Sequence, residues 1–267
     1  MLVKIKHKAF FIFSLYFLNK IYYYLHIMKN IQGLIRKAIQ QYNMIEDGDK
    51  IAVGLSGGKD SLTLLKHLKE LQRYYPKKYE LCAIAVDMFN GKTDYSKIQE
   101  FCNQLQVELH IVPTQLYELL FEVRKEQNPC SLCSKIRRGT LVNTAKELGC
   151  NKVALGHHAN DLIETFFLSM FFEGRLSTFS PVTYLSKSQI TTIRPMMLVW
   201  EKDIISQSTN LPVLFNPCPA DKHTQREEIK IILEKLGKDI PKLDRNLLNA
   251  IISPERYHLF DKYNKDK

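Results

Sequence analysis

Apolar positions along this chain come in short blocks that alternate in spacing. Ile51–Leu55, Leu81–Asp87 and Glu108–Val112 are compact strand-like runs, and between them apolar residues recur at helical spacing from Ser61 to about Tyr74 and from about Tyr95 to Leu105. A helical pattern also precedes the first strand, from about Asn30 through Ile39 to the turn Asp47-Gly48-Asp49, and another follows the strand-like run 151–155, from about Leu162 to Phe172. This rhythm predicts an α/β fold with a parallel sheet covered by helices on both faces. Ligands of such sheets lie beyond the carboxyl ends of the strands, so the turns after Leu55, Asp87 and Leu155 are where chemistry is expected.

The first of these turns is the most informative. Leu55-Ser56-Gly57-Gly58-Lys59-Asp60-Ser61 takes the chain from a buried strand through two glycines into a helix. The first N–H groups of that helix have no partner within it, and with the helix dipole and the Lys59 ammonium they form an anion site suited to phosphate or pyrophosphate. The spacing of a kinase-type P-loop is absent, because Lys59 is followed by Asp60 and no glycine stands five residues before Gly58. Asp87, at the end of the second strand, either approaches a bound adenosine or caps a turn.

Two further segments carry chemistry. Pro129-Cys130-Ser131-Leu132-Cys133 places two thiols two residues apart, ahead of the basic helix start Ser134-Lys135-Ile136-Arg137-Arg138. This spacing serves zinc, an iron-sulfur centre or a redox pair, and no second such pair is present. Of the other four cysteines, Cys82, Cys102 and Cys150 fall in apolar strand or helix contexts and read as core, whereas Cys218 sits in the stiff loop Asn216-Pro217-Cys218-Pro219 and invites a ligand or catalytic role. The second segment, Gly156-His157-His158-Ala159-Asn160-Asp161, is another strand-to-helix turn: Gly156 permits close backbone approach, and Asp161 either holds magnesium or caps the helix. Adjacent histidines at a helix start more often bond phosphate, solvent or backbone than a metal.

The 267 residues, 45% of them apolar, are ample for a sizeable core and exclude a disordered chain. A formal charge of +10 suits a polyanion such as RNA. Residues 1–27 hold four lysines and no acidic residue, leaving 34 basic and 28 acidic side chains in the remainder. Their apolar run, Ala9–Leu18, is too short to span a membrane and no small-x-small cleavage site follows it. We read 1–27 as an N-terminal extension or mis-set start, a membrane-associating helix being the alternative, 28–235 as the nucleotide domain with its cysteines, and 236–267 as a helical tail without an interpretable motif.

Taken in order, Ser-Gly-Gly-Lys-Asp-Ser, Pro-Cys-x-x-Cys with the following Arg-Arg-Gly, Gly-His-His-x-x-Asp, Ile193-Arg194-Pro195 and Pro-Cys resemble the TtcA family of tRNA 2-thiocytidine synthetases, within the TtcA/TtuA group of PP-loop ATP pyrophosphatases. The resemblance runs from about Met28 to Ile232. It implies an adenine nucleotide α-hydrolase-like fold (HUP, Rossmann-like), ATP and Mg2+ as cofactors, and a 4Fe-4S cluster held by Cys130, Cys133 and Cys218. It further implies ATP-dependent adenylation of a cytidine C2 oxygen in tRNA, at position 32, and replacement of that oxygen by sulfur from a cysteine desulfurase or sulfide. A homodimer and a cytoplasmic setting go with it.

On this reading Leu55, Ser56, Gly57, Gly58, Lys59, Asp60, Ser61, Asp87, Gly156, His157 and Asp161 bind the nucleotide, and Lys59, Asp60, Asp161 and Arg137 carry catalysis. Lys135, Arg137 and Arg138 form one candidate RNA patch; Lys222, His223, Arg226 and Lys230 form a second. Two departures from the family pattern stand out: Asn160-Asp161 where Asp-Asp is common, and no additional cysteine close to Cys218. The competing readings are an amidating enzyme such as a lysidine synthetase, which leaves the paired cysteines unexplained, a zinc-bearing relative, and a non-catalytic nucleotide and RNA binder.

Overall fold

The computed structural model describes residues 31–126, 129–215, 218 and 225–257. The expectations for residues 1–27, and those for Lys222 and His223, lie outside them.

Helix α1 (31–41 among the described residues) leads into strand β1 (Asp49–Leu55). Then follow α2 (Lys59–Leu71), β2 (Tyr79–Asp87), α3 (Ser96–Gln104), β3 (Glu108–Pro113), a π-helical turn (Glu118–Val123), α4 (Pro129–Glu147), β4 (Lys152–Ala154) and α5 (Ala159–Glu173). The chain continues through β5 (Val182–Leu185), β6 (Ile190–Ile193), α6 (Glu201–Gln207), α7 (Gln225–Asp239) and α8 (Leu243–Ile252). The strands form one sheet in the order β3-β2-β1-β4-β6-β5, parallel except for the β5–β6 pair.

Period-two alternation explains the two-sided core. Ile51, Val53 and Leu55 of β1 and Ala83 and Ala85 of β2 face one way and join α1, α2, α3 and α5 in the larger apolar cluster. Ala52 of β1 and Cys82, Ile84 and Val86 of β2 face the other way, against Leu141, Val142 and Ala145 of α4. The doubly covered α/β sheet expected from the sequence is therefore the fold.

The antiparallel β5–β6 hairpin has no counterpart in the sequence expectations, because its strands are four residues each and only Ile190 and Ile193 carry an apolar signal deep in the core. Helix α2 begins two residues earlier than its apolar periodicity indicates, so Lys59 and Asp60 are its first two residues and Gly58 is its N-cap. Helix α4 likewise takes in Pro129, Cys130 and Cys133 in its first turns, with the proline at the position where its missing N–H costs nothing. Helix α7 runs through residue 235 without a break. Among the described residues, no helix is long and apolar enough to cross a membrane.

Strand order reverses at β1, which pairs with β2 on one side and β4 on the other. That switch point brings the turn after β1 beside the turn after β4, at the carboxyl edge of the sheet.

Candidate nucleotide and thiol site

Gly57 has φ +79°, a conformation that glycine alone adopts without strain, and it turns the chain from β1 into α2. The turn is fastened from within: the Ser56 N–H donates to Ser61 Oγ (3.2 Å), the Gly58 N–H to Ser56 Oγ (3.3 Å), and the Ser61 hydroxyl to the Gly58 carbonyl (3.0 Å). No side chain caps α2, so the open N–H groups of its first turn face the loop. Beside them Lys59 Nζ lies 3.2 Å from Asp60 Oδ1 and 3.1 Å from Glu201 Oε1. Burial acts to lower the Lys59 pKa, but the Asp60 and Glu201 carboxylates outweigh it and hold the ammonium above the ordinary lysine range.

Gly156 shows why a side chain is excluded after β4. A Cβ there would stand 3.1 Å from the Asp60 carbonyl carbon and the Ser61 nitrogen, both backbone atoms. The close approach expected at Gly156 is thus to the phosphate loop itself. Beyond it, His158 and Asp161 form a reciprocal cap of α5: Asp161 Oδ2 accepts from the His158 N–H at 2.9 Å, and His158 Nδ1 accepts from the Asp161 N–H at 3.4 Å. His158 Nε2 then faces Asp161 Oδ2 (3.5 Å) and Asp60 Oδ1 (3.9 Å), so the two expected carboxylates meet across one imidazole. Asp60 Oδ1 is buried and makes no hydrogen bond, which suits a hard cation approaching from the loop side.

A cleft of about 380 Å³ opens over this edge. Its apolar wall is Leu55, Ile84, Val86, Leu141 and Leu155, and Ser56, Arg137, Arg138, His157 and Arg194 supply the polar margin. An apolar slot with a few cations beside a phosphate cradle fits a nucleobase with its phosphates. His157 stacks on Phe179 with ring centres 4.9 Å apart and accepts at Nδ1 from Arg194 Nε at 3.2 Å. Burial drives its pKa down to about 4, with Asp161 opposing, so the ring is a neutral acceptor that fixes Arg194. Arg194 also donates to the Ser180 carbonyl and the Thr183 hydroxyl, and burial lowers its pKa to about 10.

Asp87 holds a turn, one of the two roles foreseen for it. Its buried carboxylate accepts from the N–H groups of Phe89 and Gly91 and from the Thr93 hydroxyl, holding the loop after β2. Of the second basic group, Arg226 reaches Glu164 (3.1 Å) and Thr165 (3.0 Å) on α5, and Lys230 reaches Glu201 (3.0 Å). Arg194, Glu201 and Phe179 are the functional side chains the sequence reading passed over. Arg194 stood in a recognised motif without a role, while Glu201 meets Lys59 across 142 residues and no local spacing signals it.

None of the six cysteines forms a disulfide. Cys82 and Cys150 are buried with sulfurs 3.5 Å apart, consistent with core packing. Cys130 and Cys133 are one helical turn apart at the start of α4, and Cys133 feels the charge of Arg137, Cys218 and Cys130. Burial raises the Cys133 pKa, while Arg137 pulls against it. The Cys133 thiol points at Met88 Sδ, 3.8 Å away. Thiol sulfurs are the donors that suit a soft, thiophilic centre. Among the described residues no three ligating side chains stand together at a distance that could hold a metal ion.

The loop that carries Cys218 is anchored on the phosphate cradle. The Leu214 N–H donates to the Gly57 carbonyl at 2.9 Å, and the Leu214 side chain covers Gly57.

A family model described as a PP-loop domain matches residues 26–235. The tRNA-cytidine(32) 2-sulfurtransferase of Citrifermentans bemidjiense is 38% identical over 239 residues, 87% of this chain and 93% of that protein. The protein of the same name from Geotalea daltonii is 39% identical over 241 residues, 88% of this chain and 96% of its own length. Among solved structures, the U34-tRNA thiolase NcsA from Methanococcus maripaludis, with its 4Fe-4S cluster, superposes with a TM-score of 0.69 at 26% identity, covering 86% of this chain and 80% of that one.

Proposed function

Because the chain belongs to the TtcA family of PP-loop proteins, we propose that it is a tRNA-cytidine 2-sulfurtransferase, which activates the C2 oxygen of cytidine 32 with ATP and exchanges that oxygen for sulfur. The observation that carries this reading is a phosphate cradle beside an apolar cleft at one edge of one sheet, with Cys133 near enough to Cys130 and Cys218 to feel their charge. A phosphate loop alone fits the amidating alternative equally well; the thiols do not belong to that chemistry.

The adenine lies against Ile84, Val86, Leu141 and Leu155, and the triphosphate runs toward the open N–H groups of α2. Lys59 leaves Glu201 to reach the departing phosphates. Glu201 keeps Lys230 as its partner, so the exchange strands no carboxylate. The cytidine O2 bonds the α-phosphorus as the bond to pyrophosphate breaks, and Lys59 with the loop N–H groups receives the charge that develops on the leaving group. Arg194, held by neutral His157, and Arg137 lie where the α-phosphate emerges from the cleft. Sulfur then bonds C2, the C2–O bond breaks, and AMP departs.

Asp60, through its unbonded Oδ1, and Asp161 are the residues that would hold Mg2+. Cys130, Cys133 and Cys218 would hold a 4Fe-4S cluster, Arg137 offsetting the thiolate charge at Cys133. When bound, such a cluster supplies an iron with no protein ligand at which sulfur can be carried. A cysteine desulfurase or free sulfide is the donor. The exposed Phe171, Phe172 and Leu176 at the end of α5 support association of two copies.

Nucleoside mass spectrometry of tRNA from cells lacking 2-thiocytidine, complemented with this chain or its Cys218→Ala variant, tests the reading. Restoration by the parent alone establishes thiolation through the third cysteine. Restoration by both removes Cys218 as a required ligand, and failure of the expressed parent overturns the assignment.

A further inference from the structure

The loops after β2 and β3 enclose a second, smaller pocket of about 210 Å³ on the same edge of the sheet, lined in part by Met88, Phe89, Lys92, Tyr117, Glu118 and Glu122. We propose that it receives the base of the target cytidine, a role that rests on the thiolation reading above.

Four observations carry this. The pocket is built rather than incidental: the Tyr117 N–H donates to the Met88 carbonyl (3.0 Å), Asn90 N–H to the Thr114 carbonyl (3.0 Å) and Thr114 N–H to the Asp87 carbonyl (2.8 Å), so the two loops are stitched together. The buried Asp87 carboxylate then fixes the loop after β2 through Phe89, Gly91 and Thr93. The conformation is thereby set before any ligand arrives.

Two aromatic rings stand in its wall. Phe89 and Tyr117 have ring centres 5.2 Å apart at 36°, and Phe121 backs Tyr117 from outside the lining at 5.0 Å and 31°. Phe89 and Tyr117 are half-buried, leaving surface on which an unstacked base can lie. The volume is below the roughly 300 Å³ at which pockets begin to take drug-sized ligands, which suits a single pyrimidine ring.

The polar groups select the kind of base. Glu118 and Glu122, one turn apart, accept hydrogen bonds but cannot donate them when ionised. Carboxylates repel a phosphate backbone but receive the 4-amino group of cytosine, whereas uracil presents an oxygen acceptor there and is rejected. Lys92 at the rim is left for the adjoining phosphate. Finally, a single side chain separates this pocket from the thiol site: Met88 lines it and lies 3.8 Å from Cys133 Sγ.

The test uses the full chain and an anticodon stem-loop RNA with a fluorescent cytidine analogue at position 32, alongside the same RNA abasic at that position. Tyr117→Ala is expected to weaken the cytidine-analogue RNA by about 5- to 150-fold, the range found when a base-stacking aromatic is removed, and to leave the abasic RNA unchanged. Tyr117→Phe keeps the stack and should bind like the parent, and an unchanged ATP-induced thermal shift shows that Tyr117→Ala is folded. The double variant E118Q/E122Q should lose about tenfold of the preference for cytidine over uridine at this position. Equal weakening of both RNAs by Tyr117→Ala, or none, overturns the pocket while leaving thiolation intact, since the parent still restores 2-thiocytidine in cells. A parent that binds neither RNA and restores nothing overturns both.

Discussion

Replacing Asp60 by asparagine separates what this residue does for ATP from what it does for the fold. In the nucleotide-free protein its Oδ1 is buried without a hydrogen bond, an arrangement that costs about 1–3 kcal/mol for a buried polar atom. Against that stands the ion pair with Lys59 at 3.2 Å, about a third exposed and therefore worth at most about 1 kcal/mol. Asparagine keeps a buried Oδ1 and gives up only the ion pair, so Asp60→Asn should unfold within about 1 kcal/mol of the parent. Ligand stabilisation behaves otherwise. At a hundredfold excess over Kd, MgATP adds about 2.7 kcal/mol to a protein that binds it, a shift of about 5–10 °C for a chain of this size. Scanning fluorimetry of parent and variant, with ATP in Mg2+ and with ATP in chelator, reads both quantities. The parent should show the larger shift with Mg2+; Asp60→Asn should show the same small shift in both, carried by Lys59 and the α2 N-terminus. A variant that keeps the full Mg2+-dependent increment refutes the placement of the cation at Asp60.

Gly156→Ala pushes a Cβ to 3.1 Å from the Asp60 and Ser61 backbone, which has no flexible side chain to yield, so it should cost about 1–3 kcal/mol in urea unfolding and raise the KM for ATP more than that for tRNA. Burial of His67 lowers its pKa to about 4 against an ordinary value of 6.5. The unfolded chain therefore takes up more protons between those values, and stability present above about pH 6.5 falls as the pH drops toward 4, by up to about 3 kcal/mol. Urea melts at pH 7, 5.5 and 4 should show that slope and a flatter one for His67→Gln; equal slopes would contradict neutral burial. Cys133→Ser and Cys218→Ala should each reduce anaerobically reconstituted iron from about four per chain to near none, read by metal analysis and visible absorbance, while ATP binding persists. Unchanged iron in either variant would remove that residue from the ligand set.

How much of this was legible in the sequence depended on the range of the interaction. The strand-turn-helix segments around Gly57 and Gly156 could be recognised because the determinants of a buried strand, a positive-φ turn and an open helix end all lie within a dozen residues. Their convergence followed from topology, since β1 pairs with both β2 and β4. Glu201 could not be recognised: its partners Lys59 and Lys230 lie 142 and 29 residues away, and a glutamate at a helix start reads as favourable dipole chemistry in its own right. The carboxylate partners of Arg226 and Lys230 were hidden for the same reason, because a basic residue shows its charge in the sequence but not the carboxylate that pairs with it. For Asp87 the sequence offered two roles, and the turn role depends on donors two to six residues further on, whose loop conformation no periodicity records.

The position of Cys218 is bounded by the residue that anchors the chain just ahead of it. Leu214 is fixed to Gly57 by a backbone hydrogen bond, and its side chain lies 3.0 Å from where a Gly57 Cβ would stand. A chain extends at most about 3.6 Å per residue, so the four steps from Leu214 confine Cys218 to within about 14 Å of Leu214, which itself touches the phosphate loop, whatever path they take. The other two thiols are carried by α4, whose Leu141 would meet a side chain at Gly54, so they too are referred to β1, through helix packing rather than a loop. Both arms of the thiol site are thus measured from the same strand that ends in the phosphate cradle. Adenylation and sulfur transfer must act on one carbon and its oxygen in succession, and a common origin on β1 keeps the two chemistries in register without a second domain.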